Sequence, residues 1–271
     1  MKKAASFALG CKVNQYESEA IAELFAEKGY EIVGIDEEAD VYVINTCTVT
    51  NFGDKKSRQL IRKVKRQNEN AIVAVVGCYA QTAPKELMEI AGVNLVIGTK
   101  DRAQIVEMVE QYDRANGVEN HVSDIMKERV FEPLSIQKLA NRTRAYLKIQ
   151  DGCSQYCSYC IIPYARGPIR SREPQEVVAE VKRLAENGFK EVVLTGIHVA
   201  SYGKDRRDTS LLDILKQVHE VEGIERIRFS SIEPNVVTEE FAQTMAALPK
   251  VCDHFHLSLQ SGCDETLERM N

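Results

Sequence analysis

Residues 144–160 read RAYLKIQDGCSQYCSYC. The first part is a strand pattern that runs into a polar loop. That loop holds three cysteines spaced Cys153-x3-Cys157-x2-Cys160. Loops at the C-terminal ends of parallel strands carry the chemistry of barrel-like α/β folds, so this stretch reads as the opening of such a unit. The chain continues in the same rhythm. PQEVVAEVKRLAENG is a helix, EVVLTG a strand, LLDILKQVHEV a helix, RIRFSSIEP a strand, TEEFAQTMAALP a helix and HFHLSLQSG a strand. A last helical stretch, DETLERMN, follows without a cap signal. Four βα units do not close a barrel, so a fragment of a longer protein is expected.

Upstream, the alternation is already under way. SFALG (6–10) reads as a buried strand, ESEAIAELFAEKGY as a helix closed by Gly29, and DVYVINTC (40–47) as a second strand. A basic helix over 54–68 leads to the apolar strand AIVAVVGCYA (71–80). The helix PKELMEIAG starts at Pro84 and ends at Gly92, and the strand NLVIG and helix DRAQIVEMVEQY complete the series. Continuously apolar strands between helices imply a parallel sheet covered on both faces. Residues 114–141 are polar and weakly periodic, and read as a linker or crossing segment.

The composition agrees with a globular chain of more than one domain: 271 residues, 44% apolar and 28% charged. No apolar run reaches the roughly 18 residues that a membrane span needs. MKKAASFALG is basic and then apolar, but Lys12 ends the apolar part too soon for a signal peptide. A cytoplasmic location is the default expectation. Eight cysteines in a reducing compartment point to metal binding or catalysis rather than to disulfides.

Cys153, Cys157 and Cys160 are three where a structural zinc site takes four ligands. Three thiolates hold three irons of a [4Fe–4S] cluster and leave the fourth open to substrate or cofactor. The rival reading is zinc with a distant fourth ligand such as His198 or Cys263; the plainest is three buried cysteines. Cys11, Cys47 and Cys78 each follow a predicted strand (ALG, VINT and VVG), and such loops converge on one edge of a parallel sheet. They are either a second thiolate set or ordinary small core residues. Cys252 and Cys263 read as structural.

CSQYCSYC resembles the CxxxCxxC signature of radical S-adenosylmethionine (SAM) enzymes, with the aromatic Tyr159 before the last cysteine. IIPYARGPIRSREP (161–174), TGIHVASYG (195–203), SSIEP (230–234) and HLSLQSG (256–262) resemble the methylthiotransferases of that family. So do ALGCKVNQYESE, VINTCTVT and VVGCYAQ, so the resemblance covers nearly the whole chain. GCKVNQYES and HLSLQSG point to the subgroup acting on N6-threonylcarbamoyladenosine beside the tRNA anticodon.

The resemblance implies an α/β fold: a flavodoxin- or Rossmann-like parallel sheet domain over 1–113 carrying an auxiliary cluster, the linker over 114–141, and a partial, truncated radical SAM (β/α) barrel over 142–271. It implies two [4Fe–4S] clusters, on Cys11, Cys47 and Cys78 and on Cys153, Cys157 and Cys160, with SAM at the second. Reductive cleavage of SAM would yield a radical that takes hydrogen from C2 of the adenine. Sulfur, methylated by a second SAM, would come from the N-terminal cluster. Family members continue through two more barrel strands into a small RNA-binding β-barrel. A flavodoxin- or ferredoxin-type electron donor and a sulfur source are the further partners implied.

Gly196, His198, Ser230, Glu233 and Gln260 lie at or beyond the ends of predicted strands and, with Tyr159, are expected to face SAM. His198 is equally readable as a capping or loop histidine. The helix over 54–68 concentrates seven cations in a chain of net charge −5. Lys55, Lys56, Arg58, Arg62 and Lys63 are therefore candidate phosphate contacts, against the alternative of a solvated face. Arg166, Arg170 and Arg172 form a second basic group, which either guides RNA or pairs with local carboxylates such as Glu173. The alternatives are the same chemistry on isopentenyladenosine tRNA or a ribosomal-protein aspartate, a non-catalytic metal-binding RNA-binding protein, and a plain α/β scaffold with reduced core cysteines.

Overall fold

Runs of Val, Ile and Ala alternate sides along a strand, and that period sets the first half of the chain. In β3 (Val41–Thr46) every residue is buried. Tyr42 and Ile44 enter one apolar cluster with Ile61, Val75 and Leu87. Val41 and Val43 enter another with Ile21, Phe25 and Ile105. A strand sandwiched in this way has helices on both faces. The computed structural model describes residues 1–48, 51–136 and 144–271, without the side chains of 51–54. The chain divides into two units: Met1–Glu128 with Glu132–Ile136 and Tyr164–Gly167, and Arg129–Phe131 with Gln137–Pro163 and Pro168–Asn271.

The first unit runs β1 (Lys3–Ala8), α1 (Lys12–Glu27), β2 (Glu31–Ile32), β3, α2 (Asn51–Gln67), β4 (Ile72–Gly77), α3 (Cys78–Thr82), α4 (Pro84–Met88), β5 (Leu95–Val96), α5 (Ile105–Gln111) and β6 (Glu119–Asn120). Its six strands are ordered β2-β1-β3-β4-β5-β6, all parallel. The order 2-1-3-4-5 is the flavodoxin-like one, and its ligand crevice lies outside the C-terminal ends of β1 and β3.

The second unit contains β7 (Arg144–Asp151), β8 (Arg170–Ser171), α7 (Pro174–Glu186), β9 (Glu191–Gly196), α8 (Leu211–His219), β10 (Arg226–Phe229), α9 (Glu239–Ala247) and α10 (Asp264–Met270). Between β7 and β8 lies a short helix, α6 (Ile162–Arg166), and Tyr164–Gly167 belong to the first unit. The sheet order is β10-β9-β7-β8. The pairs of β9 with β7 and β10 are parallel, as expected of a partial barrel. Leu147, Ile149, Val192, Leu194, Val181 and Ile214 form its fully buried interior.

Three expectations differ from the structure. Residues 119–120 pair with β5 as a sixth strand, and Leu134 and Ile136 are buried with the first unit, so much of the segment 114–141 is built into that unit; residues 137–141 lie outside those described. HFHLSLQSG is not a regular strand: it makes a single parallel bridge between Ile232 and Leu257. β8 returns antiparallel against the end of β7, a pairing its two residues are too short to announce.

Gly77 and Gly29 make a controlled pair. Both have positive φ, at +95° and +85°. A Cβ at Gly77 would fall 2.3 Å from Asn45 Oδ1 and 2.6 Å from the Thr46 carbonyl, whereas one at Gly29 meets nothing within 4 Å. Gly29→Ala is therefore expected to cost about 1 kcal/mol in denaturant unfolding, from backbone conformation alone. Gly77→Ala is expected to cost roughly 3 kcal/mol or more, because strain and overpacking add. Equal losses would contradict this packing of β3 against β4.

Candidate functional site

β1, β3 and β4 are neighbours, and each delivers a cysteine at its C-terminal end. Cys11 is the N-cap of α1, Cys47 follows the last residue of β3, and Cys78 opens α3 directly after Gly77. Gly10 has φ +97°, and a Cβ on it would lie 2.6 Å from both Cβ and Sγ of Cys47, so the first two cysteine loops touch. Asn14 ties them together: its Nδ2 donates to the Leu9 carbonyl at 2.8 Å and to the Thr46 carbonyl at 2.9 Å. The Thr46 hydroxyl donates to the Val76 carbonyl at 2.6 Å and so joins the third loop.

Two buried arginines converge beneath this edge. Arg166 and Arg102 are fully buried, as is Glu17 between them. Arg166 pairs with Glu17 Oε1 at 2.6 Å and donates to Asn14 Oδ1 at 2.5 Å. Its Nε donates to Cys78 Sγ at 3.1 Å. Arg102 pairs with Glu17 at 2.6 Å and with Glu132 at 2.5 Å. Burial pushes the Cys78 thiol up, and the Arg166 charge opposes it.

In the second unit the cysteine loop follows β7. A register irregularity between Lys148 and Gln150 turns the Gln150 side chain toward the end of β9. Its Nε2 donates to the carbonyls of Asp151 and Gly152 at 2.7 and 2.6 Å, and its Oε1 accepts from the His198 amide at 2.8 Å. Gly196 permits this approach, since a Cβ there would meet Gln150 Oε1 at 2.7 Å. Beneath the loop, Lys148 and Asp151 pair at 3.0 Å, fully buried, with Arg170 3.7 Å from Asp151.

Cys153, Cys157 and Cys160 are all partly exposed. The Cys160 amide donates to the Cys157 carbonyl at 2.9 Å, closing the loop on itself. Burial raises Cys153, with its two neighbouring cysteines and Glu233 adding. Burial also raises Tyr159, with Cys157, Cys160 and Glu233 adding. The Tyr159 hydroxyl donates to Gln260 Oε1 at 3.0 Å. His198 lies 3.2 Å from Glu233 and 2.5 Å from the Ser201 hydroxyl. Ser230 Oγ is buried without a hydrogen-bond partner among the described residues.

Both thiol sets suit a soft metal centre. Sulfur-only donors select Fe–S clusters, zinc or copper(I). Among the described residues, no three ligating side chains close on one point as a single ion requires. A four-iron cluster asks for less convergence, because each thiolate binds its own iron. The guanidinium N–H on Cys78 and the unsatisfied Ser230 hydroxyl are features that a charged sulfur and a polar ligand would use.

The basic residues divide. Lys55, Lys56, Arg62 and Lys63 on α2 are exposed, while Ile61 and Val64 are fully buried and seat the helix. Lys63 pairs with Asp36. Arg58 donates to the Tyr79 hydroxyl at 2.7 Å and lies 3.9 Å from Glu86. Arg166, Arg170 and Arg172 are corrected: all three are buried and cannot meet RNA as a surface patch. Arg170 belongs to Asp151 and Arg172 to Glu180 at 2.6 Å, while Glu173 pairs with Arg206. Cys252 is partly buried, and Cys263 is exposed at the start of α10. Asn14, Glu17, Arg102 and Gln150 were not anticipated. Asn14 and Glu17 do leave a signal, as polar residues interleaved with Val13, Tyr16, Ala20 and Ile21 on a buried helix face.

Residues 3–98 match the family described as Uncharacterized protein family UPF0004, and residues 147–271 match the Radical SAM superfamily. Threonylcarbamoyladenosine tRNA methylthiotransferase MtaB of Bacillus subtilis is 49% identical over all of this chain and 60% of its own length. The protein of that name from Aquifex aeolicus is 41% identical, over 99% of this chain and 65% of its own. The tRNA-2-methylthio-N(6)-dimethylallyladenosine synthase of Dictyoglomus thermophilum is 36% identical, over 96% and 60%. The chain thus spans about three-fifths of these curated relatives. Among solved structures, the radical SAM methyltransferase TsrM of Kitasatospora setae superposes with a TM-score of 0.66 at 17% identity, covering 98% of this chain and 61% of that one, a likeness of fold. The match to UPF0004 thus takes in Cys11, Cys47 and Cys78, and the match to the Radical SAM superfamily takes in the cysteine loop after β7.

Proposed function

We propose that this chain is part of a radical SAM methylthiotransferase that places a methylthio group on C2 of N6-threonylcarbamoyladenosine beside a tRNA anticodon. The observation that carries this is two separate three-cysteine sets, each on loops at the C-terminal edge of its own sheet, in a chain whose relatives bear tRNA methylthiotransferase names. Cys153, Cys157 and Cys160 would hold one [4Fe–4S] cluster with an open iron for SAM, and Cys11, Cys47 and Cys78 a second. When bound, the first supplies one-electron reduction of SAM and hence a radical able to take hydrogen from an unactivated carbon, and the second is suited to supplying sulfur.

The chain's own residues position these groups. Gln150 anchors the start of the cysteine loop to β9 through the His198 amide. Gly196 keeps that approach open. Ser230 offers a buried hydroxyl, and Glu233, held by His198, offers a carboxylate to the ribose or amino group of SAM. Tyr159 and Gln260 are joined beside the same loop. The exposed Lys55, Lys56 and Arg62 of α2 would meet phosphates, and the target base must leave its stack to be reached, as in single-stranded loop recognition. A tRNA substrate, a flavodoxin- or ferredoxin-type electron donor, a sulfur source and a cytoplasmic setting follow from this reading. Among the described residues no helix is long and apolar enough to cross a membrane.

The full-length protein, reconstituted anaerobically with reductant and SAM, is expected to release 5′-deoxyadenosine. It is also expected to convert tRNA carrying N6-threonylcarbamoyladenosine to its methylthio form, read by mass spectrometry of the nucleosides. Transfer only to isopentenyladenosine tRNA would overturn the substrate, and no SAM cleavage would overturn the chemistry. Lys55→Gln, Lys56→Gln and Arg62→Gln together are expected to weaken tRNA binding. They should also flatten the salt dependence of log K by about 0.7–0.9 for each phosphate no longer neutralised. An unchanged salt slope would place the RNA-binding face elsewhere.

A further inference from the structure

Arg166 sits six residues beyond Cys160 in sequence, yet its guanidinium belongs to the other cysteine set. The segment Tyr164–Gly167 is part of the first unit, where the Thr99 hydroxyl donates to the Ala165 carbonyl at 2.7 Å. This seats Arg166 with no exposed surface. Its donors are divided by direction. The terminal nitrogens go to Glu17 and Asn14, and Nε goes to Cys78 Sγ at 3.1 Å.

A fully buried guanidinium needs compensating charge. Glu17 supplies it, but Glu17 is also the partner of the buried Arg102. Two cations thus share one carboxylate at the edge that bears the three cysteines, with Glu132 relieving Arg102. The Nε–H aimed at Cys78 Sγ makes Arg166 a natural partner for negative charge on that sulfur. A neutral thiol has little use for a charged N–H at this distance, whereas a metal-bound thiolate does. Hydrogen bonds to cluster sulfurs and nearby charge both set a cluster's reduction potential.

We infer that Arg166 is a positioning residue for the N-terminal metal centre: it hydrogen-bonds the Cys78 sulfur and, balanced against Glu17, sets the potential of the group held there. The inference rests on the proposed cluster at Cys11, Cys47 and Cys78. The same stretch of chain that leaves the Cys153–Cys160 loop therefore tunes the second centre. The two opposed charges give opposite signs. Removing the cation and its N–H disfavours the reduced, more negative state; removing the carboxylate favours it.

The test uses the full-length protein carrying Cys153→Ala, Cys157→Ala and Cys160→Ala, so that only the N-terminal centre remains, and reads its midpoint potential by an EPR-monitored redox titration. In that background Arg166→Gln is expected to move the potential to more negative values. Arg166→Lys, which keeps the charge and loses the planar fork, is expected to move it less. Glu17→Gln is expected to move it to more positive values. If Arg166→Gln fails to fold, the signs of Arg166→Lys and Glu17→Gln carry the test. A background protein without iron would overturn the reading of the N-terminal site and the inference with it. Iron retained at about four per chain with unmoved potentials, or shifts of one sign for Arg166 and Glu17 variants alike, would overturn the inference alone.

Discussion

Parallel pairing of β1, β3 and β4 is the constraint on which the first unit depends. A parallel strand must return through a crossover, so every strand ends at the same edge and every following loop begins there. Cys11, Cys47 and Cys78 are 36 and 31 residues apart in sequence and become neighbours because each follows one of these three strands. The crevice they surround is where the strand order reverses around β1, the place where doubly wound sheets bind ligands. Gly10 and Gly77, with positive φ, let the backbone turn into this crevice without a side chain in the way.

Bringing thiols to an edge is not enough, since the loops also have to be held. In the first unit this is done by Asn14, Asn45 and Thr46, which cross-link the strand ends through main-chain carbonyls. The buried Arg102–Glu17–Arg166 group fixes α1 to the edge. In the second unit Lys148, Asp151 and Arg170 play the corresponding part under the cysteine loop, with Gln150 pinning its start. Buried ion groups of this kind contribute little net stability when complete, but losing one member costs roughly 3–5 kcal/mol. They make the geometry of each edge close to all-or-none.

Much of this was legible in the sequence, for physical reasons. The cysteine after each apolar run marked both edges, because strand ends are read from where apolar periodicity stops. Leu60, Ile61 and Val64 are spaced as one helix face, and they give α2 its buried side. What was hidden depended on partners distant in sequence. β2, β6 and β8 have two residues each, too few for a period to show. HFHLSLQSG alternates like a strand, yet it forms only one isolated bridge, at Leu257. Arg166, Arg170 and Arg172 looked like a surface patch because nothing local reveals that Glu17, Asp151 and Glu180 bury them.

The proposed function requires two metal centres, one on each cysteine set. The direct measurement is iron and labile sulfide per chain after anaerobic reconstitution, for the unaltered protein and for Cys11→Ala/Cys47→Ala/Cys78→Ala. Two four-iron sites predict about eight irons falling to about four. About four irons in both proteins would remove the N-terminal centre, and stoichiometric zinc in place of iron would contradict the iron–sulfur reading of both edges.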